Sequence, residues 1–166
     1  MISDPIRRGQ ALAALYFRLE PRLFADLDEA GVLPAREDTE AEARVRAEWA
    51  CFALYACVRG LIAAGGFNRE TAGAVDALHA AVTDAWLREG SAPGARERVA
   101  DRYAEYGTIG QTGGASAAAT VGIRLGTAAA RHMSGSAAMP EGLAEMAGAL
   151  HESLAEGAAE AVRSAA

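Results

Sequence analysis

The stretch TEAEARVRAEWACFALYACVRGLIAAGG, residues 39–66, decides the fold of this chain. Its first half places Val45, Trp49 and Phe52 at intervals of three and four, which puts them on one face of a helix. Its second half is apolar on nearly every side, and such a helix belongs at the centre of a bundle or in a subunit interface. We predict a long helix that opens with a capping box whose cap is Thr39 and that ends at the two closing glycines.

Helical patterns of the same kind flank this stretch on both sides. The first predicted helix begins after Asp4 and contains Pro21, where we expect a kink or a break. Capping and periodicity signals place the other helices at about 68–90, from 91–93 to 106, at 115–133 and from 140 onward. Six helices joined by short linkers predict an all-α fold, an antiparallel up-and-down helical bundle of about five or six helices. We expect a single domain, residues 1–166.

Glycines mark two further features of the predicted bundle. Several glycines cluster in residues 107–114, which predicts a break or hinge between two helices. Gly122 and Gly126 lie four apart and form a ridge of small residues that another helix can approach closely. At the C-terminus, the tail after residue 158 is expected to fray.

Composition and charge exclude several classes of protein. All 16 basic residues are Arg, and the chain contains no Lys. Mechanisms that need a Lys amine, such as Schiff-base chemistry and the phosphate-binding P-loop, are therefore unavailable. The composition is typical of a GC-rich bacterial genome. A net charge of −6 opposes nucleic-acid binding, and we expect no nucleic-acid partner.

The compartment is predicted from the apolar segments and the cysteines. Arg59 interrupts the longest apolar run and Arg124 interrupts the Ala/Gly-rich tract, so both segments are interpreted as buried helices rather than membrane spans. Cys51 and Cys57 lie six apart on one predicted helix and point away from each other, which predicts reduced thiols. A cytoplasmic location without membrane contact is the expectation.

The three histidines are the main candidates for a binding site. His79, His132 and His151 each fall on or beside the apolar stripe of a different predicted helix. They are candidates to line a shared interior that binds a small molecule or a metal, with Tyr103 and Tyr106 nearby. The competing interpretation, which we favour, gives each imidazole its own backbone carbonyl or carboxylate, because no spacing here enforces metal ligation.

Motifs for specific cofactors fail on inspection. A di-iron bundle needs Glu-x-x-His on two helices, but Asp76, Ala129 and Gly148 precede the three histidines by three residues. The glycines of 107–114 resemble a phosphate cradle, yet no predicted strand precedes them and no Lys follows. Ser116 has no partner base, so we discard it as a nucleophile. The sequence therefore identifies neither a cofactor nor a metal.

Arg59 and Arg124 are further candidates for ligand binding. A buried Arg must be paired, so each is expected to meet a carboxylate or to bind an anionic ligand. The carboxylates of Glu20, Glu48 and Glu105 are available as partners. The structural role is the favoured one.

Two functions remain open at this point. The first is a non-catalytic, homo-oligomeric accessory or regulatory protein, with a dimer favoured, because the apolar helix of residues 39–66 exposes more apolar surface than the edge of a small bundle can hide. Full wrapping of that helix by the other five would remove this argument. The alternative is a small-molecule-binding or metal-binding bundle that is possibly an enzyme. Its pocket would lie between the third, fifth and sixth helices.

Overall fold

The computed structural model describes residues 3–90, 94–111 and 118–164, and these residues form six α-helices without a strand. The all-α bundle predicted from the sequence is therefore confirmed. The helices are α1 (Pro5–Glu29), α2 (Thr39–Gly65), α3 (Arg69–Arg88), α4 (Ala95–Gln111), α5 (Ala118–Ser134) and α6 (Leu143–Ser164).

Successive helices alternate in direction, but the most closely packed neighbours are not always consecutive. Antiparallel packing of α1 on α2 brings the Tyr16 hydroxyl to the carbonyl of Ala50 and Glu20 to Arg46. Extensive contacts also join α1 to α3 and α2 to α6, and the helices of each pair run parallel because they are two steps apart in the chain. The short linkers therefore predict the alternating directions of the helices correctly, whereas side-chain packing decides which helices are neighbours.

The apolar helix α2 occupies the centre of the bundle. It contacts each of the other five helices, and Trp49, Phe52 and Leu54 are completely buried. α2 is also long and apolar enough to cross a membrane, since its most apolar stretch has a mean hydropathy of 1.4. However, 61% of that stretch is buried inside the protein. A core helix has the same length and composition. The premise that α2 exposes excess apolar surface is therefore wrong.

Two predicted details of the first helices are corrected. The cap of α2 is Asp38, whose carboxylate accepts a 2.7 Å hydrogen bond from the amide of Ala41, and Thr39 is the first helical residue. α1 is not broken at Pro21, which lies inside a continuous helix. Buried residues on both sides of the proline, including Leu12 and Leu27, hold the two halves in one helix although Pro21 donates no amide hydrogen bond.

The predicted break near 107–114 does not begin at its first glycines. α4 continues through Gly107 and Gly110 to Gln111, because Tyr106 is buried and Ile109 packs against the core. Residues 112–117, which contain the other two glycines and Ser116, lie outside the described part of the chain. The helix boundary expected at 91–93 lies outside it as well.

The described part of the C-terminal tail, residues 159–164, is helical instead of frayed. α6 extends to Ser164, and Ala159 and Val162 are buried against the core. Burial of these residues supplies the packing energy that a terminal helical turn lacks when it is exposed.

Glycines permit the closest helix contacts, as predicted for α5. A Cβ atom built on Gly126 would lie 2.1 Å from the carbonyl oxygen of Ala144. One built on Gly148 would lie 2.5 Å from the carbonyl oxygen of Gly122. Only hydrogen atoms fit between these backbones, so α5 and α6 pack at a separation that only glycine permits at these positions.

Candidate functional site

The three candidate histidines each have a separate partner. His79 Nε2 lies 2.9 Å from the hydroxyl of Tyr103, and His132 Nε2 lies 2.5 Å from a carboxylate oxygen of Glu105. His151 Nδ1 lies 3.1 Å from a backbone carbonyl of α2. Within residues 3–90, 94–111 and 118–164, no group of three or more His, Cys, Asp or Glu side chains is arranged to hold a metal ion. Two of these partners are of the expected kind, a carboxylate for His132 and a backbone carbonyl for His151, whereas the partner of His79 is a tyrosine hydroxyl.

His151 belongs to a buried aromatic cluster around Phe52. The rings of His151 and Tyr106 lie 4.1 and 5.3 Å from the Phe52 ring, and Tyr55 contacts both. Burial lowers the pKa of His151 to about 3, and the positive charge of Arg59 acts in the same direction. The imidazole is therefore neutral at physiological pH and contributes packing to the core.

The two tyrosine candidates are Tyr106, which is buried, and Tyr103, which is partly buried. Burial raises the pKa of Tyr103 and of Tyr106 well above the usual range, so both phenols stay protonated. Burial also lowers the pKa of His79, which keeps this imidazole neutral beside Tyr103. Tyr103 and Tyr106 both contact Tyr55 of α2, and His79 joins this group through Tyr103.

The two candidate arginines lie in different surroundings, Arg59 near His151 and Tyr55 and Arg124 on α5. Arg59 forms an ion pair with Glu152 of α6, a carboxylate that was not among its expected partners. Arg124 lines a shallow recess of about 510 Å³ between α4 and α5, beside Glu105 and Arg131. Of the carboxylates expected as partners, Glu20 pairs with Arg46, Glu48 with Arg102 and Glu105 with His132.

A larger cleft opens where α1, α2, α3 and α4 meet. Its volume is about 740 Å³. The exposed faces of small residues of α2 form the floor, and aromatic rings of α1 and α3 stand on its sides. None of the three candidate histidines lines it. The lining residues are Tyr16, Phe17, Glu20, Pro21, Ala43, Arg46, Ala47, Ala50, Cys51, Ala85, Trp86, Glu89, Ala95, Arg98 and Val99.

A buried ion pair supports the α1 side of the cleft. Glu20 is almost completely buried, and its two carboxylate oxygens accept hydrogen bonds from the two terminal nitrogens of Arg46, one of them at 2.8 Å. The Arg46 guanidinium also lies 4.5 Å above the centre of the Phe24 ring. The hydrogen bond to Glu20 raises the pKa of Arg46. This arginine is fixed as part of the wall.

A second buried carboxylate supports the α4 side. Both oxygens of Glu48 accept 2.8 Å hydrogen bonds from Arg102. Arg98 approaches the same carboxylate, but its Nε lies 3.6 Å from Glu48 Oε1, which is beyond hydrogen-bond distance. Two cations therefore share one carboxylate, and Arg98 is the one that faces the cleft.

Sequence reasoning missed the cleft although part of its signal is visible. Ala43, Ala47 and Ala50 recur at four and three along α2, so they mark a strip of small side chains on one face of the helix. Such a strip leaves space when the facing helices do not close over it. Glu20 and Glu48 were considered only as partners for distant arginines, because their neighbours depend on helix packing.

The cleft is suited to recognition of a ligand. Its thiol, Cys51, is buried, and burial raises the pKa of this thiol to about 12, so it is not a nucleophile at neutral pH. No protein-family model, curated protein or solved structure matches this chain.

Proposed function

We propose that this protein is a small-molecule-binding helical bundle and that its ligand occupies the cleft between α1, α2, α3 and α4. The observation that supports this function is the cleft itself, which combines a volume of about 740 Å³ with a largely apolar lining and a few polar groups at its sides. Ligand sites in proteins have volumes of roughly 300–1,000 Å³ and the same mixture of surfaces.

The lining defines the body of the ligand. Ala47 and Ala50 offer a flat apolar floor, and Phe17 and Trp86 offer aromatic surface at the sides. Phe17 is 42% exposed, which is high for a large apolar side chain of a bundle helix. An apolar ligand body that covers these groups gains hydrophobic free energy of about 25 cal/mol for each Å² removed from water.

A neutral fluorescent probe tests this function. N-phenyl-1-naphthylamine is apolar and brightens when it leaves water, so we expect saturable binding with one site for each chain. The variant Ala47→Trp fills the floor and is expected to abolish binding. Ala43→Trp does the same from an exposed position of the lining, where a large side chain is tolerated.

A matched control separates cleft filling from a general effect of tryptophan. Ala72 is exposed on α3 and does not line the cleft, so Ala72→Trp is expected to bind the probe like the wild type. Circular dichroism confirms that each variant is folded. Failure of the wild type to bind the probe saturably, or equal binding by all three variants, would contradict the proposed function.

The function through protein–protein contact stays a prediction. It depended in part on surplus apolar surface of α2, and α2 packs against the other five helices of its own chain. A homo-oligomer, with a dimer favoured, is checked by sedimentation velocity or native mass spectrometry against the chain mass of 17.1 kDa.

A further inference from the structure

We propose that the ligand of the cleft is an amphipathic organic anion and that Arg98 binds its anionic group. This inference depends on the proposed function, because it names the chemical class of the ligand in the same cleft. It follows from the distribution of charge around the cleft.

The charge of Glu48 holds Arg98 near the cleft, but this contact leaves N–H donors of Arg98 without a hydrogen bond to the carboxylate. Arg102 uses both oxygens of Glu48, and the Glu48 side chain is only 6% exposed. Arg98 stays 3.6 Å from that carboxylate, and its own side chain is 29% exposed. Among the described residues, Arg98 makes no hydrogen bond to a carboxylate. A guanidinium carries five N–H donors, so Arg98 retains donors for an anion.

The other arginine of the cleft differs in this respect. Arg46 donates to both oxygens of Glu20 and stacks on Phe24. Arg46 is paired one to one with the nearly buried Glu20, so its charge is balanced, whereas Arg98 shares the Glu48 carboxylate with Arg102. Arg98 can bind an anion while the pair of Glu48 and Arg102 stays intact.

The start of α4 adds positive potential on the same side. α4 begins at Ala95, which lines the cleft, and Arg98 lies in its first turn. The first amide groups of a helix have no acceptor within the helix, so this end carries a partial positive charge. The helix end supports the site but does not define it, since Arg98 supplies the specific contact.

Glu89 sets the orientation of the ligand. It is exposed at the end of α3, and its charge contributes to raising the pKa of Arg46. Among the described charged residues that line the cleft, Glu89 at the end of α3 forms no ion pair, whereas Arg98 on α4 shares one carboxylate with Arg102. An anionic head is attracted to Arg98 and repelled from Glu89, with the apolar body on the alanine floor of α2.

Displacement of N-phenyl-1-naphthylamine by three ligands with similar alkyl chains tests the inference. Decanoate, 1-decanol and decyltrimethylammonium each carry an unbranched apolar tail of similar length, and their heads are negative, neutral and positive, respectively. We expect decanoate to bind about tenfold more tightly than decanol, because a charge-assisted hydrogen bond is stronger than a neutral one. Decyltrimethylammonium is expected to bind more weakly than either.

Variants assign the preference to Arg98. Arg98→Gln is expected to lower the affinity for decanoate about tenfold and to leave that for decanol unchanged. Arg96→Gln is the matched control, since Arg96 lies in the same helical turn but is exposed outside the cleft lining. Glu89→Gln is expected to raise the affinity for decanoate a few-fold by removing repulsion.

The outcomes separate this inference from the proposed function. Equal binding of decanoate and decanol, unchanged in Arg98→Gln, would overturn the anion assignment and leave a cleft for apolar ligands. Preferential binding of decyltrimethylammonium would also overturn it. Absence of saturable binding by the neutral probe in the wild type would overturn the proposed function itself.

Discussion

The Nδ1 atom of His151 lies 3.1 Å from the backbone carbonyl oxygen of Phe52, at a point in the core where the His151 side chain has no solvent exposure. A carbonyl only accepts hydrogen bonds, so Nδ1 carries the ring proton and donates it. The neutral tautomer is thereby fixed by α2, and protonation of Nε2 would place a positive charge in an aromatic core. A histidine predicted as a ligand candidate is thus a structural core residue.

Acid is expected to destabilise the protein through His151. Its pKa is about 3 in the folded protein and has an ordinary value of 6.5. Between these values the unfolded chain binds more protons than the folded one, so the contribution of neutral His151 is complete above 6.5 and is lost as the pH falls toward 3. The slope is at most about 1.4 kcal/mol for each pH unit.

Urea denaturation checks this expectation. The unfolding free energy of the wild type, measured relative to that of His151→Leu, should fall by about 1–2 kcal/mol from about pH 7 to about pH 5. All other titratable groups are common to the two proteins, so the subtraction removes their contribution. A difference that does not change with pH would contradict a buried neutral imidazole.

The ion pair between Glu48 and Arg102 should show strong energetic coupling. Arg102→Met leaves Glu48 buried with Arg98 as its remaining, more distant cation, and we expect a loss of about 3 kcal/mol of unfolding free energy. The double variant Glu48→Gln, Arg102→Met should lose less than the sum of the two single variants. Urea denaturation of all four proteins measures the coupling, and additive losses would argue against the pair.

Gly148 should be far less tolerant of alanine than Gly157 on the same helix. A Cβ on Gly148 would clash with the Gly122 carbonyl at 2.5 Å, whereas nothing lies within 4 Å of one on Gly157. We expect Gly148→Ala to lower stability by about 1–3 kcal/mol through forced separation of α5 and α6. Gly157→Ala should raise it by about 0.5–1 kcal/mol through helix propensity. Thermal unfolding compares the two, and similar changes would contradict the close contact.

The two thiols should be unreactive in the folded protein. Cys51 and Cys57 are buried, and burial raises the pKa of each to about 12. A coloured aromatic disulfide reagent is expected to titrate no thiol at neutral pH until urea unfolds the chain, and then to titrate two. Rapid reaction of the native protein would show that the core opens at α2.

Helix positions were predicted well because their signals are local. Asn68 caps α3 with a 2.9 Å hydrogen bond to the amide of Thr71, and Gly66 ends α2 with a φ of +73°. Both features involve residues within a few positions of each other, so the sequence displays them directly. The errors at Pro21 and at the C-terminal tail arose where distant packing outweighs a local signal.

The sequence by itself determined the all-α class, the alternating helix directions and the absence of lysine chemistry. These properties depend on composition, periodicity and caps. Only the tertiary structure decided that Glu20 pairs with Arg46, that Glu48 pairs with Arg102, and that the alanine strip of α2 faces a cleft. The sequence of a helix fixes which side chains it carries, but not which other helices lie beside it. The pairing of these side chains depends on the rotation of each helix about its axis and on its neighbours, and both are set by the packing of the whole bundle.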